Sequence, residues 1–389
     1  MKTGTCTLRI LLVAAAFLII VSNGLAVEKT MAAEPATKKA PVIKRDHWKA
    51  EWEMTLRKAR EEGEVAVAGG PIVSALRNSV KLFKEKFGID LLITTARGNV
   101  VTTKIMEERR SGHYLQDVMI TGQNSMVESL KPIGAFDPLE PFLVLPEVVD
   151  QKLWYDGQFN WADEGRFIFN FALYPIHMVF INTDLVKTGE IRSYNDLLNP
   201  KWKDKILIND PTIAGIANQS FNSMVYNSFV DQDFFRKLAA QKNMMTRDED
   251  LQATWLAKGK YPLALWPTTS AVAKFIDAGA PVRPISDMKE GSAAGSAGSG
   301  LAVFNKAPHP HAAKVFVNWF LSSEGQAINQ KSVRKQTRRI DVAPEGLIPT
   351  ETRIPGMKYY PMPDEKEKFI LTESKKYRQI SEQLFAPLK

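Results

Sequence analysis

The segment EVAVAGGPIVSALRNSVKLFKEKFGIDLLITTARGNVVTTKIMEERRSGHYLQDVMITG, Glu64–Gly122, decides the fold. Three short apolar runs, EVAVAGG, IDLLITTARGN and QDVMITG, each end in glycine or polar residues. Between them lie helical patterns. In SALRNSVKLFKEKFG (Ser74–Gly88), Leu76, Val80, Phe83 and Phe87 share one side, the spacing of a helix with one buried face. VVTTKIMEERRSG and NSMVESLKPIG read as the next two helices. Strands separated by helices of roughly 10–15 residues predict a parallel sheet with right-handed crossovers.

Upstream, DHWKAEWEMTLRKAREEG puts Trp48, Trp52, Leu56 and Ala59 on one helical face, with Asp46 as N-cap and Gly63 as stop. Residues 27–45 are polar, alanine-rich and aperiodic, and read as a leader. Before them, Lys2 and Arg9 precede ILLVAAAFLIIV (Ile10–Val21), and Gly24 and Ala26 supply the small residues of a cleavage site. That is a secretory signal peptide; the run is short of the roughly 20 residues of a membrane span. The one cysteine, Cys6, precedes the apolar run, so it is not a lipid-bearing cysteine and the mature chain holds none. Disulfides, thiolate metal sites and cysteine nucleophiles are thereby excluded. Export without cysteines points to a bacterial periplasm.

The chain has 389 residues, 44% hydrophobic and 24% charged. That length and composition suit two domains with cores that need no disulfide staples. Its net charge is +8, and removing Lys2 and Arg9 lowers it by two, to +6. Mixed charges along the length imply solubility and a mild bias toward anions, not nucleic-acid binding. The basic run KSVRKQTRR (Lys331–Arg339) reads as a solvated face.

Downstream, RFIFNFALYPIHMVFINTDLV (Arg166–Val186) holds two β-rich runs broken at Pro175. SYNDLLNPKWKDKILINDPTIAG reads as a short helix, an Asn-Pro turn and a strand Lys205–Asn209; helices follow around Gly215–Phe229, in DFFRKLAAQK and in DLQATWLAKGK. LALWPTTSAVAKF (Leu263–Phe275) is a strand, turn and helix. GAPVRPISDMKEGSAAGSAGSGLAVFNKA is a long return with a glycine/serine loop, and HPHAAKVFVNWFLSSEGQAINQ an amphipathic helix. Chemistry is sparse. GSAAGSAGSG (Gly291–Gly300) lacks the G-K-[ST] ending of a phosphate loop, and no G-x-S-x-G nucleophile elbow occurs. His309 and His311 flank Pro310 with no acidic partner nearby, and acidic residues stand singly. No catalytic residues, no metal ligands and no cofactor are expected, and nothing in the sequence supports an enzyme.

The segments GEVAVAGG, LFKEKFGI, ERRSGHYLQDVMITG, SYNDLLNPKWKDKILINDP, GKYPLAL, DAGAPVRPI and APHPHAAKVFVNWFLSSEGQ carry a resemblance. Over roughly residues 63–342 the chain resembles family 1 extracellular solute-binding proteins, the periplasmic receptors of ABC importers, in their ferric-iron-like branch. DLLNPKWKDKI and HPHAAKVFVNWFLSSEGQ are its most specific parts. The resemblance implies an α/β, two-lobed type II periplasmic binding fold, with two crossover strands as hinge and the ligand between the lobes. On this plan residues 1–26 are the signal peptide, 27–62 leader and first helix, 63–168 and 298–340 the first lobe, 169–297 the second, and 341–389 a C-terminal tail. The crossovers are expected near Phe167–Phe171 and Val282–Ile285.

In open α/β sheets ligands sit beyond the carboxyl ends of strands, where helix starts offer N–H groups. The expected ligand-binding residues are therefore Gly69, Gly70, Pro71, Thr95, Arg97, Asn99, Gly122 and Asn124 in the first lobe, and Asp210, Gly215, Trp266, Thr268, Thr269 and Ser270 in the second. Trp266 would be a flat apolar wall, or else pack in the core while the hydroxyls cap the helix. Arg338 or Arg339, in RRIDV, aligns with a family segment that returns toward the cleft. The family's iron binders carry adjacent tyrosines near Thr268–Ala271; here none occurs, and Tyr359 and Tyr360 lie in the tail. Glycines, hydroxyls and arginine favour a small organic anion over a hard cation. The reading is thus a monomeric periplasmic solute receptor for an inner-membrane ABC permease. Iron binding, service to a signalling receptor and an exported enzyme on the same scaffold stay open as alternatives.

Overall fold

Helical and extended runs fold here as their periods require. The computed structural model of the protein describes residues 47–96, 98–347 and 349–388. The signal peptide, the leader, Asp46 and Arg97 lie outside the described residues. The strands are β1 (Glu64–Gly69), β2 (Asp90–Thr95), β3 (Val118–Thr121), β4 (Phe136–Asp137), β5 (Phe169–Asn170), β6 (Tyr174–Ile176) and β7 (Val179–Asn182). They continue as β8 (Ile206–Asn209), β9 (Met244–Thr246), β10 (Leu263–Leu265), β11 (Val282–Pro284), β12 (Ser292–Gly295), β13 (Gly300–Phe304) and β14 (Tyr359–Pro361).

A first sheet has the order β2-β1-β3-β13-β4, with β5 also on β13. β1 pairs in parallel with β2 and β3, as the 64–122 segment predicts, while β13 runs antiparallel to β3. Helices Val80–Phe87 and Gly98–Arg110 make the crossovers. Burial explains the central run: Val65, Val67 and, on the opposite face, Ala68 of β1 are fully buried, as a strand covered on both faces requires, and so is Phe83 of the first helix. The helix His47–Glu62 packs along the helix Pro310–Leu321. There Glu51 pairs with Lys314 at 2.6 Å, and Glu62 accepts from the His311 ring at 2.7 Å. Asp117 accepts from His309 N–H at 2.7 Å. Both histidines therefore have acidic partners, supplied from distant parts of the chain where local sequence showed none.

A second sheet has the order β11-β7-β10-β8-β9. Between the two sheets runs a third, β14-β12-β6. β6 carries the chain from β5 toward β7, and β12 carries it back toward β13. They pair antiparallel, Gly295 opposite Tyr174 and Ala293 opposite Ile176. These are the two crossovers. They lie beyond the expected Phe167–Phe171 and Val282–Ile285, because β5 pairs within the first sheet and β11 edges the second. The glycine/serine stretch read as a loop is one of them. Its small side chains are required by crowding: a Cβ on Gly295 would stand 2.7 Å from Met362 Cγ and 2.8 Å from Glu365 Oε1. Pro175 is tolerated because β6 is an edge strand. The basic run also departs from expectation. Gln336, Thr337, Arg338 and Arg339 are buried, with Arg339 spanning the Leu321 carbonyl at 3.0 Å and Asp341 at 2.6 Å.

Gly69 fixes the spacing of β1 and β3: a Cβ there would fall 1.9 Å from Ile120 O. Gly69→Ala is expected to destabilise the protein by about 1–3 kcal/mol, the usual cost of overpacking. A urea unfolding midpoint equal to wild type would show that the strands are not so tightly apposed.

Candidate binding cleft

Because β1, β2 and β3 are parallel, their carboxyl ends emerge at one edge. Gly70 N–H donates to Ile120 O at 3.1 Å, Ala96 N–H to Gly69 O at 3.2 Å, and Thr95 Oγ1 to Gly70 O at 3.1 Å. Gly69, Gly70 and Thr95 thus form one rim, with Thr121 Oγ1 only 3.3 Å from where a Gly70 Cβ would be. Pro71 begins the short helix Pro71–Ser74. Gly122 and Asn124 are half-buried beside this rim, whereas Asn99 is exposed on the first turn of its helix.

Asn209 and Trp266 meet at the second rim, the Asn209 amide donating to Trp266 O at 3.2 Å. Asp210 is engaged internally. It accepts from Thr212 N–H at 2.8 Å, Thr212 Oγ1 at 2.6 Å and Arg247 Nε at 2.9 Å. Burial opposes its ionisation, but these donors outweigh it and hold the carboxyl below the usual range. Gly215 precedes the helix Ile216–Tyr226. Trp266 is not a wall. It is fully buried, with ring centroids 5.8 Å from Phe385 and 6.1 Å from Phe235, and its Nε1 donates to Met224 Sδ at 3.3 Å. The Thr268 hydroxyl does not cap the helix Thr269–Asp277; its oxygen is buried without a hydrogen-bond partner. Thr269 is half-buried and Ser270 exposed.

The two rims are bridged by residues of the C-terminal tail. After β14, the Pro363–Glu365 turn packs against Gln123–Ser125 of the first lobe and against the helix Ile216–Tyr226 of the second. Helix Glu367–Thr372 continues along the first lobe, and helix Ser374–Phe385 along the second, where Ser381 Oγ donates to Pro211 O at 3.2 Å. Asp364 accepts from the Asn222 amide at 3.0 Å. The Glu365 carboxylate accepts from Ser296 N–H, and Arg338 stands 3.8 Å from its other oxygen. Gln123 closes the group, donating to Asn170 Oδ1 at 2.6 Å and to Ser296 Oγ at 3.1 Å.

Desolvation dominates the electrostatics there. Burial pushes the Glu365 carboxyl up, against the pull of Arg338, and pushes the Arg338 guanidinium down. Burial raises Asp364 to about 7, against the Asn222 hydrogen bond. Arg338 Nε, Ser299 Oγ and Asn222 Oδ1 are buried without a hydrogen-bond partner. Of the expected residues, Arg338 is the one placed in this centre. Gln123, Asn170, Asn222, Ser296, Asp364 and Glu365 were missed. One signal was legible: Asn218 and Asn222 lie four apart among Ala217, Phe221 and Met224, amides on a buried helical face. Nothing local marked the others. Ile354 N–H donates to the Tyr359 phenolic oxygen at 2.9 Å while Tyr360 packs edge-on to Phe229 at 5.1 Å, so the two phenols engage different surroundings. Among the described residues no group of three or more His, Cys, Asp or Glu side chains could hold a metal ion, and no helix is long and apolar enough to cross a membrane.

The sequence profile of the bacterial extracellular solute-binding proteins matches residues 78–333, more than half of the chain. The chain belongs to this family. Solved structures agree on the fold of this solute-binding protein, a two-lobed type II periplasmic binding fold. Ferric iron-binding protein A of Mannheimia haemolytica, in an open conformation, superposes with a TM-score of 0.65 at 14% identity, covering 84% of this chain and 99% of that one. Periplasmic binding protein AfuA of Actinobacillus pleuropneumoniae, with fructose-6-phosphate bound, gives 0.59 at 18% identity over 84% and 98%. Trichodesmium IdiA (FutA), with iron and citrate, gives 0.61 at 16% over 83% and 99%.

The raised Asp364 carboxyl makes this solute-binding protein pH-sensitive in a definite direction. Glu365 beside it, Arg378 from the C-terminal helix and Asn222 from the second lobe face it. The folded state holds the Asp364 proton up to about pH 7, the unfolded chain only to about 3.9. Its penalty is therefore absent below about pH 4, grows as pH rises and is complete above about 7. Asp364→Asn should gain stability over wild type by up to about 1.4 kcal/mol per pH unit through this window, then level off. Urea titrations showing a pH-independent difference would contradict it.

Proposed function

We propose that this protein captures a small organic anion between its lobes in the periplasm and delivers it to an ABC permease of the inner membrane. The observation that carries the reading is Arg338: a guanidinium only 6% exposed, beside the crossover ribbon, with its Nε unpartnered. A buried cation that keeps spare donors, with Glu365 no nearer than 3.8 Å, calls for a closer anion. Among the fold neighbours one holds fructose-6-phosphate, one iron with citrate, and one is iron-bound. The missing tyrosines at Thr268–Ala271 favour the anion over bare ferric iron.

Capture follows from the architecture. A solute that touches Gln123 and Arg338 from one side and the helix Ile216–Tyr226 from the other favours the closed form, and β6 and β12 absorb the rotation. Thr269 and the glycine rim at Gly69–Gly70 then extend the site around it. Micromolar affinity corresponds to about −8 kcal/mol. Several charge-assisted hydrogen bonds of roughly 1.5–3 kcal/mol each reach that, after ordering costs. On this reading the solute leaves unchanged. The receptor acts as a monomer.

Calorimetry against sugar phosphates and di- and tricarboxylates checks this. At least one should bind, be recovered intact, and bind Arg338→Gln more than tenfold more weakly while the variant's circular dichroism stays native. Equal affinity in the variant removes Arg338 from the site, and turnover in place of retention removes the receptor reading.

A further inference from the structure

The Pro363–Glu365 turn makes, on its own chain, the contacts that a captured solute would make. Its adjacent carboxylates divide between the lobes. Asp364 takes the Asn222 amide of the second lobe, and Glu365 takes Ser296 N–H, where the second crossover re-enters the first lobe. Gly295 allows this approach, since a Cβ there would lie 2.8 Å from Glu365 Oε1. The Arg338–Glu365 pair is almost wholly buried, at 6% and 3% exposure, yet 3.8 Å apart: close enough to attract, too far to hydrogen-bond. Arg338 Nε, Ser299 Oγ and Asn222 Oδ1 keep no partner. A buried pair that served stability alone would satisfy its donors, because unpaired buried polar groups are costly. This one behaves as an imperfect occupant of a site made for something else.

We propose that Glu365 is an internal ligand: its carboxylate fills the anion-holding centre between Ser296 N–H and Arg338, and a carboxylate-bearing solute gains that centre by displacing the Pro363–Glu365 turn. The inference rests on the reading of the cleft as a solute site and narrows its solute from organic anions to carboxylates, the planar two-oxygen group the centre already accepts. The displaced turn stays tethered. β14 holds it on one side, and on the other Phe385 is locked among Trp266, Phe221 and Phe235. A tethered competitor acts at high effective concentration and lowers the apparent affinity of a free one.

The test uses the full chain as wild type, Glu365→Ala and Glu365→Gln. Truncation to alanine deletes a fragment the size of acetate. Acetate should therefore raise the unfolding temperature of Glu365→Ala saturably, against chloride of equal ionic strength, and leave wild type unmoved. Across acetate, succinate, citrate and inorganic phosphate, carboxylates that bind wild type should bind Glu365→Ala at least tenfold more tightly, and phosphate should gain less. If Glu365→Ala does not fold, Glu365→Gln keeps the shape without the charge and should gain at least threefold. Equal affinity of a carboxylate for wild type and variant overturns the internal-ligand inference and leaves solute capture intact. Acetate rescue of Glu365→Ala, with no organic acid binding any of the three proteins, upholds the carboxylate centre and overturns solute capture instead.

Discussion

The pairing of β6 with β12 is the constraint on which the rest of this protein depends. Each lobe closes its own sheet, and one apolar cluster runs from Val65 and Val118 of the first through Tyr174, Ile176 and Ala293 of the ribbon to Ile208 and Trp266 of the second. The chain passes between the lobes through a narrow antiparallel ribbon of Tyr174–Ile176 and Ser292–Gly295, and the C-terminal segment packs on both. A ribbon of that width bends as a hinge. It also sets the polar centre of the cleft, because Ser296 follows it directly and bonds Gln123 and Glu365, with Asn170 joined through Gln123. The alanines and glycine of β12 let a third strand, β14, lie alongside. Larger side chains there would push β14 and Glu365 away together.

The polar inventory of the cleft divides into two kinds. At the strand ends most of it is spent on internal bonds: Asp210 on Thr212 and Arg247, Asn209 on the Trp266 carbonyl, Thr95 on Gly70. These bonds shape the rims and, the unpartnered Thr268 hydroxyl apart, leave little to offer a solute. Beside the hinge the balance reverses. Arg338, Ser299 and Asn222 are buried with unused hydrogen-bonding capacity. Water is excluded there, so a charge interacts strongly and is costly when left alone. The distinction between a rim that holds its own shape and a centre that still has something to give follows from counting partners, not from residue type.

The C-terminal segment has two roles that pull in different directions. Through Phe385 it completes the aromatic core of the second lobe with Trp266, Phe221 and Phe235. Through Asp364 and Glu365 it puts two carboxyls into a dry space, where burial raises both. The first role anchors the segment firmly. The second makes its middle the costly part. A strap with secure ends and an electrostatically expensive middle yields locally, as segments of low local stability do.

Periodicity alone determined a great deal. The alternation over Glu64–Gly122 specified a parallel sheet, because a strand buried on both faces and a helix buried on one demand different spacings of apolar residues. The segments of family likeness supplied the two-lobed plan. The rim residues at strand ends were legible for the same reason, since topology fixes where parallel strands finish. Tertiary structure decided the hinge, the company of Trp266 and the polar centre. Ser292–Gly295 has the composition of a loop, and only crowding by Met362 and Glu365 makes small residues necessary there. His309 and His311 showed no partner nearby, yet Asp117 and Glu62 reach them from remote segments. Arg338 and Arg339 lie in a basic run of a solvated kind, and Glu365 sits in a tail with no periodic signal. Charge and polarity in a sequence report cost in water. Whether a group is paid back in the interior depends on which distant groups the fold brings within about 4 Å, and local pattern does not encode that.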